Sequence, residues 1–365
     1  MSDKQKYIVE MVIFLFIILG IFFLNIIKKD EDISLAERRK LEKMPDISID
    51  KILSGKFSDD FENYSLDQFV FRDNLRKIKN IFHLNVLKQK DVNGYFIEDE
   101  VIYKIEYPLK EYSILNASNK MNQIKDKYLN DTNKIYYSII PDKSYFLKDN
   151  KKTHLLLDYD KLITIMNENL KDFNYINLFE TLEIEDYYKT DTHWKQENLL
   201  KVAEKLSKEM NFYIDNNYEI KSAGDFLGVY YSQLGILGIK DELKYVVNDS
   251  IKNSVVYNVE KDKEESVYNK EELTSLDKYN FFLSGPTPLL KITNNISDNQ
   301  KKLIVFRDSF GSSLIPLLIS GYKEIYVVDT RYISTNLLGN YIDFNNSDVL
   351  FIYSTLLINQ SSGLK

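Results

Sequence analysis

The chain has 365 residues, 44% hydrophobic and 13% aromatic, enough for a packed core and too apolar for global disorder. Lys and Arg number 48 against 55 Asp and Glu, and a net charge of −7 without a long basic tract excludes nucleic acid as an expected partner. Cysteine is absent, which removes disulfides, cysteine nucleophiles and thiolate metal sites at once.

The first feature in chain order is the apolar run MVIFLFIILGIFFL at 11–24, prolonged past Asn25 by Ile26 and Ile27. From Tyr7 to Ile27 only Glu10 is charged. About 20 such residues, at 1.5 Å rise each, suffice for one bilayer crossing. A cleaved signal peptide is the alternative, but the run is long and no small-residue cleavage pattern follows it. Lys4 and Lys6 on one side and Lys28 and Lys29 on the other nearly balance the positive-inside rule. The short N-terminal tail favours that tail inside. The expected layout is a cytoplasmic tail at 1–6, a transmembrane signal anchor at 7–27 and a charged stalk at 28–60. An extracellular domain follows at 61–365, on a single-pass protein of the cell membrane. The lack of cysteine fits that location.

The stretch 57–80 carries Phe61, Tyr64, Leu66, Phe69, Phe71 and Leu75 among charges, and its spacing predicts a helix covering the core. The β-rich run IYYSII at 135–140 stops at Pro141-Asp142, as a strand ended by a turn would. A helix is expected over 155–170, a strand over 175–179 and a helix over 195–210, whose apolar positions 199, 200, 202, 203, 206 and 210 share one face. Towards the C-terminus strands at 303–306, 324–328 and 348–354 alternate with helices at 312–320 and 334–341. That alternation implies right-handed βαβ units and a doubly wound parallel sheet, an α/β fold. Residues 240–295 break the rhythm. Antiparallel strands at 244–247, 254–259 and 279–283 are expected there, as an inserted β-rich region.

Two short motifs carry chemistry. The first is YYKTDTHW at 187–194, just before a predicted helix. Asp191 and His193 lie on one side of an extended backbone, about 6–7 Å apart at Cα. There Asp191 can orient His193 and stabilise its protonated form, the base half of a nucleophilic triad. The plainer reading makes Asp191 or Thr192 a helix cap with Trp194 packing behind it. The second is FRDSFG at 306–311, between a predicted strand and a predicted helix. Ser309 would stand at the carboxyl edge of the sheet, where open α/β folds bind ligands, with helix-start N–H groups able to stabilise an oxyanion. Here too an N-cap is the plainer reading. The conjunction of both motifs at the edge of one sheet favours the catalytic reading. His83, on the stripe IFHLNVL, and His154, at a predicted helix start, are expected to be structural. Asp191 and His193 lack further ligands for a metal, so neither metal nor cofactor is expected.

YYKTDTHW, RDSFGSSLIPLL after a late strand, SLDQFVFRD at 65–73 and the N-terminal apolar run together resemble the DHHW family, which is SGNH-hydrolase-like and similar to alginate O-acetyltransferase-type domains. The resemblance spans residue 33 to the end and includes VNG at 92–94, PDK at 141–143 and FLSGPTPLLKI at 282–292. It implies Ser309 as nucleophile, His193 as general base and Asp191 as its orienter, with the Asp-x-His block preceding the serine. Thr192 replaces the second letter of DHHW, and Arg307 stands where a GDS block has Gly. Arg331, Trp194 and Arg307 are the candidate substrate contacts. The implied activity is transfer of acetyl groups to a cell-surface polysaccharide, with a multi-spanning membrane-bound O-acyltransferase as the acetyl-donating partner. A glycan O-acetylesterase with the same triad and a non-catalytic polysaccharide-binding scaffold are the alternatives.

Overall fold

The computed structural model describes residues 2–34, 37, 39–147, 154–235 and 238–365. Positions 35, 36 and 38 of the expected stalk lie outside the described residues. The chain packs as two compact units, Met1–Val92 with Ser232–Leu237, and Asn93–Tyr231 with Gly238–Lys365.

The first unit opens with the helix Asp3–Ile27, capped by Ser2, whose side chain accepts from the Gln5 N–H. It is long and apolar enough to cross a membrane, and none of its residues is buried. The single helix expected over 57–80 is two, Lys56–Asp67 and Arg72–Ile81. Asp67, the last residue of the first, accepts two hydrogen bonds from the Arg39 guanidinium and one from the Glu42 N–H.

The second unit is built on an eight-stranded sheet. Its strands in chain order are β1 (Lys134–Ile140), β2 (Asn174–Tyr175), β3 (Ser254–Asn258), β4 (Lys263–Glu265), β5 (Leu289–Asn294), β6 (Lys302–Arg307), β7 (Glu324–Val328) and β8 (Ser347–Ser354). Their order across the sheet is β4-β3-β5-β7-β6-β8-β1-β2. From β7 to β2 every pairing is parallel, whereas β5, β3 and β4 pair antiparallel at one side.

Period-two side-chain alternation gives the sheet two apolar faces. Tyr137, Ile139, Ile304, Phe306 and Phe351 pack with Ile114, Met121 and Ile124 of α1 (Glu111–Tyr128) and Leu162 and Met166 of α2 (Tyr159–Asn169). Their neighbours Tyr136, Ile140, Leu303, Val305 and Ile352 pack with Val202 and Leu206 of α3 (Leu200–Met210) and Leu314 and Leu318 of α4 (Gly311–Leu318). The fold is thus α/β and doubly wound, as the alternating pattern implies.

Residues 240–295 are β-rich, and β3, β4 and β5 within them extend the central sheet itself. Asp241–Val247 pairs instead with Glu219–Phe226 as a separate two-stranded sheet. The strand expected over 279–283 is a 3-10 turn, Lys278–Phe281, followed by a single antiparallel bridge of Phe282 with Tyr268, and its rings bury against Tyr188, Phe226 and Leu243. The expected 334–341 helix is likewise a 3-10 turn, Thr335–Asn340, and the strand over 175–179 shrinks to β2.

Candidate active site

The site is assembled at the carboxyl edge of the parallel strands. Strand β6 ends at Arg307, and Asp308-Ser309-Phe310 lead directly into α4. Asp308 fixes this junction from both sides. Its Oδ1 accepts the Phe310 N–H at 3.1 Å, and its Oδ2 accepts the N–H and hydroxyl of Ser354, at the end of β8, at 2.8 and 2.6 Å. Ser309 is left half-buried at the head of α4, where the helix dipole favours negative charge.

The DTHW segment is not extended. It bends back between an isolated bridge of Tyr187 with Trp194, closed by the Tyr188 N–H donating to the His193 carbonyl at 3.1 Å. Inside the bend Asp191 Oδ1 accepts the backbone N–H of His193 at 3.0 Å, a local turn of the kind Asp favours. The same oxygen faces His193 Nδ1 at 2.6 Å, and His193 Nε2 lies 2.8 Å from Ser309 Oγ. With its proton on Nδ1, the ring donates to Asp191 and accepts the serine hydroxyl. The structure therefore joins Ser309, His193 and Asp191 in one hydrogen-bonded chain across 116 residues of sequence.

Electrostatics support that arrangement. Burial alone would raise the Asp191 pKa. The facing imidazole and the N–H groups of His193 and Val229 outweigh it and hold the carboxyl well below the usual carboxylate range. Asp191 is thus an anion with both oxygens engaged, Oδ2 accepting the Val229 N–H at 2.7 Å. Tyr279 lies flat on the imidazole, ring centroids 3.8 Å apart and planes within 7°. Its hydroxyl is 2.7 Å from Ser313 Oγ in α4.

Trp194 and Arg307, expected as substrate contacts, are fully buried. Trp194 Nε1 donates to the Phe310 carbonyl and to Ser313 Oγ, each at 3.0 Å, and so ties the histidine loop to the serine helix. Arg307 Nη2 donates to the Gly285 carbonyl at 3.1 Å, and Nη1 faces Asp329 at 3.4 Å. Neither side chain reaches solvent, so both act as supports of the site. Arg331 is partly open, and its guanidinium grips Asp329 at 2.9 and 2.6 Å. His154 stacks on Phe96 at 3.7 Å and precedes α2 rather than beginning it, and His83 Nδ1 faces Gln89 Oε1 at 2.6 Å. Among the described residues no group of three or more His, Asp or Glu could hold a metal ion.

Sequence reasoning missed several supports. Asp241 accepts the N–H groups of Lys189 and Thr190 at 2.9 and 2.7 Å, and buried Lys143 donates to the carbonyls of Tyr188 and Lys189 at 3.1 and 3.3 Å. These residues, like Tyr279 and Val229, lie 35 or more positions from the motif they hold. Only the resemblance through PDK at 141–143 touched one of them.

Fold and site together define a doubly wound α/β domain with a Ser–His–Asp hydrogen-bond chain at its carboxyl edge. No protein-family model and no curated protein matches the sequence. Solved structures do match in fold. A DHHW family protein from Eubacterium siraeum DSM 15702 is 20% identical, with a TM-score of 0.62 over 75% of this chain and 95% of its own. Bacillus cereus PatB1 is 18% identical, with a TM-score of 0.58 over 72% of this chain and 96% of its own. The O-acetyltransferase domain of Pseudomonas putida AlgJ superposes with a TM-score of 0.45 at 11% identity, over 73% of this chain and 92% of its own. The chain shares the fold of the DHHW family protein and PatB1.

Proposed function

We propose that this chain is a membrane-anchored, extracytoplasmic O-acetyltransferase that acts on a cell-surface polysaccharide through an acyl-serine. The observation that carries the reading is the chain Ser309 Oγ–His193 Nε2, His193 Nδ1–Asp191 Oδ1, at 2.8 and 2.6 Å. The motif resemblance to the DHHW family and the fold shared with such a protein support the same reaction class.

In the first half-reaction His193 Nε2 takes the Ser309 proton as Oγ attacks the acetyl carbonyl. The tetrahedral oxyanion forms at the head of α4, whose N–H groups and dipole favour negative charge there. The imidazolium, held by anionic Asp191, returns the proton to the leaving group, and the acetyl ester of Ser309 remains. In the second half-reaction a sugar hydroxyl gives its proton to His193, attacks the ester and carries the acetyl group away. Ser309 Oγ regains the proton. A membrane-bound acyltransferase as acetyl donor, and the bilayer as seat of the Asp3–Ile27 helix, belong to this reading.

The test uses the full chain in lipid nanodiscs with a chromogenic acetyl ester. Ser309→Ala and His193→Ala are each expected to lower turnover by about 10³-fold or more. Adding soluble glycan oligomers is expected to divert acetyl from water to sugar, read by mass spectrometry. Turnover unchanged in both variants would overturn the reading, and acetyl released only to water would make the enzyme an esterase.

A further inference from the structure

The first unit presents its helices inside out. In Arg72–Ile81 and the π-turn Phe82–Val86 that continues it, the side chains that bond inward are polar. Arg72 and Arg76 reach Glu37 at 2.7 and 3.1 Å, and buried Asn80 donates to the carbonyls of Gln233 and Leu234, both at 3.1 Å. The apolar residues recur at helical spacing on another face, and they are open. Phe71 is 61% exposed, Leu75 47%, Ile78 62% and Phe82 48%. A stripe at spacings of four, three and four normally seats a helix on a core, and here no part of the described chain covers it.

What covers it follows from where it is tied. Asn25, in the last turn of the apolar helix Asp3–Ile27, accepts the Val70 N–H on its side-chain oxygen at 2.8 Å. Gln68 exchanges hydrogen bonds with the backbone of Glu31, 2.9 Å each way, and the Tyr64 hydroxyl donates to Asp30 at 3.0 Å. The start of the stripe is therefore pinned at the level where the apolar helix ends. For a helix that crosses a bilayer, that level is the headgroup boundary. The same stretch carries Lys77, Lys79 and Lys88, and basic residues beside an apolar face suit an anionic lipid surface.

We infer that the Phe71, Leu75, Ile78 and Phe82 stripe lies in the lipid headgroup boundary, so that the chain holds the bilayer by an in-plane helix as well as by a spanning one. The inference rests on the membrane-anchored part of the proposed function. An in-plane contact stops the helix pair from swivelling about its anchor and holds it at a set height above the acyl chains.

The absence of cysteine makes a direct test clean, since any thiol introduced is unique. Leu75→Cys, Ile78→Cys and Leu15→Cys are each labelled with an environment-sensitive fluorophore. The full chain is then placed in phosphatidylcholine–phosphatidylglycerol nanodiscs carrying nitroxides at a shallow or a deep acyl position. The labels at 75 and 78 are expected to shift to the blue and to be quenched more strongly by the shallow nitroxide, the label at 15 by the deep one. If the label at 15 is quenched while those at 75 and 78 remain in water, the in-plane contact is overturned and the anchor stands. If no label is quenched, both fall. A stripe that serves another protein instead gives the first of these two results, because only lipid is present.

Discussion

At the scale of single residues, the geometry of Asp191 depends on a glycine that no motif contains. A Cβ built on Gly228 would lie 2.2 Å from the Asp191 Cβ and 2.4 Å from its Cα, closer than real atoms pack. The neighbouring Val229 N–H is the donor that holds Asp191 Oδ2. Gly228→Ala is therefore expected to push the Asp191 loop off its donors. The cost should be about 1–3 kcal/mol, the range of overpacking in a tight core, with a larger fractional loss of turnover than of stability. Chemical unfolding and ester turnover on the same preparation check both parts, and normal activity with normal stability would refute the close-packing argument. The Asp-x-His pair and the serine were legible because each is a local pattern. Gly228, Asp241 and Tyr279 were not, because a support that arrives through the fold leaves no spacing to read.

At the scale of elements, the junctions after the parallel strands do most of the positioning. The turn after β6 presents Ser309, the turn after β7 supplies Asp329 to Arg307 and Arg331, and Ser354 at the end of β8 holds Asp308. Thr355 in turn donates to Asp142, just after β1, at 2.8 Å. Helix α4 runs so close to β6 that a Cβ on Gly311 would meet the Arg307 Cβ at 2.7 Å and Cγ at 3.0 Å. Gly311→Ala is expected to lower stability by about 1–3 kcal/mol and to lower the thermal midpoint accordingly, measured by calorimetry. An unshifted midpoint would mean that α4 can slide along the sheet. Short apolar runs in the strand–helix alternation, such as those of β7 and β8, were legible nearly to the residue. Short aromatic runs were not: the 279–283 region reads as a strand by composition, yet most of it buries its rings in the 3-10 turn Lys278–Phe281.

At the scale of the whole molecule, pH acts through a buried lysine. Burial draws the Lys143 pKa down to about 7, against the opposing pull of Asp191, Asp241 and Asp142. Its ammonium lies 4.7 Å from the centre of the Tyr230 ring and bonds the two carbonyls before the Asp191 bend. An ordinary lysine in the unfolded chain titrates near about 10.4. Between those values the unfolded chain binds more protons than the folded one, so stability rises with pH across this window. The rise from this group approaches about 1.4 kcal/mol per pH unit. The burden of the buried charge is full below about pH 7 and gone above the unfolded value. Lys143→Met is expected to flatten that arm of the profile, seen by urea unfolding at a series of pH values from neutral to alkaline. An unchanged slope would show that Lys143 does not titrate there.

The sequence by itself determined the α/β class, the apolar N-terminal helix and the two motifs, because hydrophobic period and short-range spacing are local properties of the chain. Only the tertiary structure decided that β3, β4 and β5 belong to the central sheet, since strand partners are chosen by edges far apart in sequence. It also decided that Trp194 and Arg307 are buried supports and that the stripe at Phe71–Phe82 faces outward. A residue's type and spacing say which face it shares, and only packing says what that face meets.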